Sequence, residues 1–123
     1  MANEITKTFA MSVANGNFSE TLQRTITIDQ AGIGGGNPGV IDVGTTDEPI
    51  STGDLATTQG VAWFQNLDET NYVEIGPESA GVLQPFMRLP AGDIASVTLS
   101  PGVQLRAKAN AAPVRLLVKV YDA

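Results

Sequence analysis

Apolar residues in this chain recur at every second position, and that constrains the fold more than anything else. Period two is the signature of a strand with one buried face, and sustained helical spacing is almost absent. Ile5, Phe9, Met11 and Val13 share one parity against Thr6, Thr8 and Ser12. Asn15-Gly16-Asn17 supplies a turn that tolerates positive φ. A second run then sets Phe18, Leu22, Ile26 and Ile28 on one parity. Together they predict a long hairpin near the N-terminus. Glu20 and Arg24 fall on the apolar parity of its second strand, so that strand bends, carries a bulge or leaves the core.

The pattern continues to the C-terminus. Val40 to Val43 reads as a short strand after the glycine-rich stretch from Ala31 to Gly39, which reads as a flexible loop. A polar connection from Gly44 to Gln59 follows, with a helical turn expected at Asp54-Leu55-Ala56. Trp63 and Val73 lie in two runs separated by the turn-forming stretch Asn66 to Asn71, so Gly60 to Gly76 predicts a β-hairpin. Leu83, Met87 and Leu89 share a parity, with Pro85 assigning that strand to an edge or a bulge. Ala95, Val97 and Leu99 come next, then a Ser100-Pro101-Gly102 turn, then Val103 to Ala109 and Val114 to Val120. About nine short strands at roughly ten-residue spacing predict an all-β, antiparallel sandwich of jelly-roll type. A length of 123 residues suits one domain spanning 1–123, because two cores would each be too small.

Composition removes whole classes of chemistry. The chain has no Cys and no His, which excludes disulfides, thiolate nucleophiles, ordinary zinc sites and the usual neutral-pH general base. A net charge of −6 argues against a nucleic-acid binder. No apolar run is long enough for a membrane-spanning helix. Met1-Ala2-Asn3-Glu4 lacks the basic and apolar regions of a signal peptide, so synthesis in the cytoplasm is expected. The charge is uneven. Arg88, Arg106, Lys108, Arg115 and Lys119 against Asp93 and Asp122 leave the last third at +3 and the rest at −9. Such asymmetry suits docking on copies of the chain or on a charged scaffold, or else reflects ordinary solvated faces.

No catalytic, cofactor or metal residues are assigned. Gly34-x-Gly36-x-x-Gly39 matches a dinucleotide-binding spacing, but Val40-Ile41-Asp42-Val43 continues as strand and supplies no helix N-terminus for a pyrophosphate. The pairs Asp47/Glu48 and Asp68/Glu69 are adjacent on turns and do not face each other across a cleft. No Asp-x-Asp-x-Asp-Gly calcium loop is present, and Ser or Thr nucleophiles lack a His partner.

What remains is binding. Trp63, Phe64, Tyr72 and Phe86 are candidate contact residues, through sugar stacking or through burial against another chain. Trp63 and Phe64 are consecutive and point to opposite faces of a strand, so at most one enters the core. The other requires a loop or, by preference, a neighbouring subunit as its cover. Arg106 and Lys108 share one face of their strand, and Arg115 and Lys119 one face of the next. Were those strands paired through Asn110-Ala111-Ala112-Pro113, four cations would gather on one surface. That surface would be a solvated face that discourages edge pairing, or a footprint for an acidic partner.

Phe64-x-Asn66-Leu67-Asp68-x-Thr70-Asn71-Tyr72-Val73-Glu74-Ile75-Gly76 is followed by Pro85-Phe86-Met87-Arg88-Leu89, then Ala91-Gly92-Asp93 and two closing strands. That series resembles small structural proteins of tailed bacteriophages, over the half of the chain from Gly60 onward. The resemblance implies a non-enzymatic capsid decoration or cement protein on the virion surface, a homo-oligomer of trimeric symmetry with the major capsid protein as partner. Candidate contact elements are Met1 to Phe9 with Ile5 and Phe9, Gly32 to Gly39 with Ile33 and Pro38, and Gly44 to Gln59 with Leu55. The alternative is a tail or head-fibre module that binds a receptor or glycan.

Overall fold

A computed structural model describes residues 4–30, 35–51 and 60–122. Every regular element among them is a strand, and every pairing is antiparallel. The strands are β1 (Ile5–Asn15), β2 (Phe18–Ile28), β3 (Gly35–Val43), β4 (Glu48–Ile50), β5 (Gly60–Asn66) and β6 (Val73–Ser79). They continue with β7 (Val82–Leu83), β8 (Met87–Leu89), β9 (Ile94–Leu99), β10 (Leu105–Ala109) and β11 (Val114–Asp122). Two of these account for the excess over nine. β4 is a three-residue strand inside a segment expected to be a loop, and one expected strand is split into β7 and β8. The glycine-rich segment is also more regular than expected, since β3 begins at Gly35. The expected helical turn at Asp54-Leu55-Ala56 lies outside the described residues.

One sheet runs β3-β11-β5-β9, and a second runs β4-β10-β6, with β7 and β8 end to end along the far edge of β6. The two sheets bury a common core. Phe64, Leu116, Val118 and Val120 come from the first, and Ile50, Val73, Ile75 and Ala107 from the second. The alternation of β11 is the cleanest case: Val114, Leu116, Val118 and Val120 are buried while Arg115 and Lys119 face out. Burying each large aliphatic side chain of this kind contributes about 1.5–3 kcal/mol.

The segment Gly60 to Gly76 is not a hairpin. Both edges of β5 are taken by β11 and β9, whereas β6 pairs with β10, β7 and β8 in the other sheet. The turn stretch is a bridge between sheets, and side chains hold it. Asn66, 1% exposed, donates from Nδ2 to the carbonyls of Asn71 and Leu89, both at 2.9 Å. Its Oδ1 accepts from the Asp68 N–H at 2.8 Å. Asp68 Oδ2 in turn accepts from the N–H groups of Asn71 and Thr70, which hold its carboxyl below the usual carboxylate range.

Pro85 behaves as its chemistry requires. Between β7 and β8 the chain bulges on the edge of its sheet, with Gln84 N–H donating to Pro77 O and Phe86 N–H to Ile75 O. The bulge lies directly over Gly76, where a Cβ would stand 1.9 Å from the Gln84 carbonyl oxygen. Only glycine leaves room for it.

Candidate functional site: the hairpin arm and the groove at its base

β1 and β2 form their own two-stranded sheet, paired without interruption from Ile5↔Ile28 to Asn15↔Phe18. The two-residue turn Gly16-Asn17 has positive φ at Gly16 alone, the backbone of a type II′ hairpin. No bulge occurs at Glu20 or Arg24; of the three expected outcomes, the strand leaves the core. Each strand is eleven residues long, and most of the ribbon is exposed on both sides.

The two faces differ sharply. One carries Thr8, Ser12, Thr21 and Thr25, with hydroxyl pairs Thr8–Thr25 at 3.2 Å and Ser12–Thr21 at 3.4 Å. The other carries the rows Ile5/Ile28, Lys7/Ile26, Phe9/Arg24, Met11/Leu22, Val13/Glu20 and Asn15/Phe18. At the base this second face is half-buried, and Lys7 Nζ donates to Thr98 Oγ1 on β9 at 3.3 Å. Burial at that position pushes the Lys7 amine pKa down. Further out the same face is bare: Phe9, Met11, Phe18 and Leu22 are 45–57% exposed.

A groove of about 500 Å³ opens where the arm lifts away from the body. Ile5, Phe9 and Met11 line it from the arm, and Trp63, Ile94 and Tyr121 from the outer face of the first sheet. Trp63 is the half-covered member of the aromatic pair, at 37% exposed, and its indole N–H donates to Gln65 Oε1 at 3.3 Å. Phe64 is fully buried and fills the core. The cover over the outer face of β5 is thus in part the chain's own arm.

The structure brings Ile5, Phe9 and Trp63 together and leaves the other candidates apart. Pro38 lies half-buried in β3, opposite Lys119. Ile33 and Leu55 fall outside the described residues. Tyr72 is half-buried beneath the Arg88 guanidinium, 4.1 Å from its ring centre. Phe86 is 79% exposed at the bulge beside a smaller opening between the sheets.

The expected cluster of four cations does not form. β10 and β11 belong to different sheets, so Arg106 and Lys108 face one side of the body, and Arg115 and Lys119 the other. Asn110 to Pro113 crosses between the sheets, and its Asn110 Oδ1 accepts from the Tyr72 N–H at 3.0 Å. Arg106 is moreover engaged within the chain. Its Nε donates to Asp47 Oδ1 and its Nη1 to Glu78 Oε1 at 2.7 Å. Asp47 also accepts the Leu83 N–H at 2.7 Å, and that bond, followed by the Arg106 guanidinium, holds its carboxyl below the ordinary range. The Asp47 carboxylate is a clamp joining β10 to β7. Among the described residues, no three Asp or Glu side chains come together as a metal site.

The bare face of the arm adds Met11, Val13, Phe18 and Leu22 to the candidate contact residues, which the sequence pattern alone had not singled out. The signal was present in Glu20 and Arg24, which interrupt an otherwise apolar parity that a core strand would keep clean. No protein-family model, curated protein or solved structure matches the chain.

Proposed function

We propose that this protein is a non-enzymatic structural component of a bacteriophage virion, a decoration or cement protein that oligomerises on the capsid and stabilises it. The observation that carries this reading is the arm: an ordered ribbon with a bare apolar face, projecting from a body with its own closed core. A face of that kind is a surface for another chain. The sequence likeness from Gly60 onward supplies the phage setting, with the major capsid protein as scaffold and the virion surface as location. In a repeating shell, many modest contacts would act together to hold the coat in place.

A β-sandwich of jelly-roll type suits this role, and the strand order supports it. From β3 onward the first strand pairs with the last and the second with the last but one, as β3 with β11 and β4 with β10. Successive strands mostly alternate between the two sheets. Such wrapping recurs in capsid and lectin domains. Trimeric symmetry comes from the phage likeness alone.

Electron microscopy of particles made without this protein tests the proposal. Intact shells lacking a surface layer, with lower resistance to heat or osmotic shock, are expected; tailless particles would refute a place on the shell. The part-exposed Trp63 in its groove favours a second reading, a glycan-binding module. Glycan-array binding that disappears with Trp63→Ala in a folded protein would establish that reading in place of the first.

A further inference from the structure

The charges on the apolar face of the arm are arranged symmetrically. Along β2 that face reads Arg24, Leu22, Glu20, with Met11 opposite Leu22 and the rows Phe9/Arg24 and Val13/Glu20 on either side. Neither Arg24 nor Glu20 has an ion-pair partner among the described residues. We infer that two copies of this chain clasp each other, their arms stacked face to face and antiparallel about a two-fold axis at Met11 and Leu22.

Such an axis laid across the ribbon inverts the order of rows. Leu22 then meets Leu22 and Met11 meets Met11, while Phe9 meets Val13 of the other copy. Arg24 of each arm stands over Glu20 of the other. The flanking rows lie two residues from the axis, or roughly 7 Å, within reach of an Arg side chain. An isologous contact demands this self-complementarity: residue i meets j, and j meets i. A foreign partner would require no such mirrored order of charge, apolar residue and opposite charge.

The ends of the arms fit the same arrangement. With the axis at Met11, the Asn15/Phe18 row of one arm arrives over the Lys7/Ile26 row of the other. Lys7 lines the groove between arm and body, so the tip of one arm, with Phe18 56% exposed, would close over the groove of the other. The five rows of this face from Lys7 to Asn15 span nine residues and make a contact roughly 30 Å long and 10 Å wide, or about 600 Å² over both faces. Two tips seated in two grooves bring the total toward the about 1,200 Å² at which stable interfaces begin.

The inference rests on the assembly part of the proposed function, puts a two-fold contact in place of trimeric symmetry, and is tested apart from it. Sedimentation equilibrium of the purified chain should give a mass of two chains. Because the chain has no Cys, Met11→Cys introduces the sole thiol, and oxidation should link the two copies at the axis. Thr21→Cys, on the opposite face, should not link them. Glu20→Arg and Arg24→Glu should each weaken self-association on the order of tenfold, by turning two attractive contacts repulsive. Mixing the two variants should restore it, since every contact between them is again a pair of opposite charges. A monomer, a three-chain mass, crosslinking equal at both positions, or failure of the mixture to reassociate would overturn the inference. Dimers that leave shells bare would defeat the capsid reading alone, and monomers that still coat shells would defeat only the clasp.

Discussion

The bridge between the sheets hangs on Asn66, and exchanging one atom tests how much. Asn66→Asp keeps the shape of the side chain and its acceptor toward the Asp68 N–H, but replaces the amide NH2 with oxygen. Two donations at 2.9 Å, to Asn71 O and Leu89 O, are lost from a side chain only 1% exposed. Each carbonyl left without its donor costs about 1–3 kcal/mol. The two carbonyls would also face a negative oxygen, which the site can relieve only by taking up a proton. A loss near 4 kcal/mol at neutral pH follows on these figures. That is a large share of the about 5–15 kcal/mol that holds a typical domain together.

The pH dependence separates this mechanism from general damage. Carbonyl neighbours and burial raise the pKa of the new carboxyl in the folded state above its unfolded value. The folded variant therefore binds more protons between those two values, and its stability falls as pH rises through that window. Urea midpoints for Asn66→Asp should recover when pH is lowered from about 7 to about 5, where a protonated carboxyl donates to one of the two carbonyls. Asn66→Ala should show no such recovery. A loss below about 1 kcal/mol at neutral pH would refute the claim that these bonds hold the crossing. So would a midpoint for Asn66→Asp that does not rise toward acid.

Gly76→Ala should cost about 3 kcal/mol in a thermal or urea melt, because its Cβ would sit 1.9 Å from the Gln84 oxygen and force the bulge outward; a loss under about 1 kcal/mol would mean the bulge moves freely. Ala80, with φ of 53°, sits with Gly81 in a type I′ turn between β6 and β7, so Ala80→Asn should stabilise by about 1 kcal/mol, and a melt showing none would remove the strain assigned there. Asp47 has a lowered pKa when folded, so its contribution is complete above the ordinary carboxylate value and lost as pH falls through the folded one. Asp47→Asn should flatten the acid limb of the stability curve, and an unchanged limb would count against the clamp.

Period two made the strands legible. A face buried against a core leaves its mark at every second residue, so the parities of β10 and β11 could be read from sequence, whereas β5, apolar on both faces, left the choice between Trp63 and Phe64 open. Pairing could not. Alternation states which face of a strand is buried but not which strand lies beside it, and a polar stretch such as Asn66 to Asn71 serves a hairpin and a crossing equally well. The discriminating fact is the amide of Asn66 reaching Leu89 O, 23 residues away. No local pattern encodes that contact. The same blindness produced the expected cation cluster: Arg106 and Arg115 have identical strand settings, and only the crossing at Asn110 to Pro113 separates them. Asp47 and Glu78 were likewise invisible as partners of Arg106, since they lie 59 and 28 residues from it.

Two arginines of the body are paired within the chain, whereas Glu20 and Arg24 on the arm's apolar face are not paired among the described residues, and the contrast favours assembly through the arm. On the body, Arg106 is bound to Asp47 and Glu78, and Arg88 lies 3.5 Å from Glu74. On the arm, Glu20 and Arg24 interrupt an apolar face and meet no opposite charge among the described residues. A two-stranded ribbon alone is at best marginally stable in water, because it lacks a third element to bury its apolar side. Its base gains that from the body, through Ile5, Ile26 and Ile28, but the rows from Phe9 to Phe18 do not. A long ribbon kept in uninterrupted register, with a Thr ladder on one side and bare apolar rows on the other, needs a second surface to stabilise its distal half. The clasp provides that surface from the only molecule certain to be present wherever this chain is, another copy of it. Order in the distal arm and association of the chains are then one equilibrium, and each arm completes the sheet packing that the other lacks.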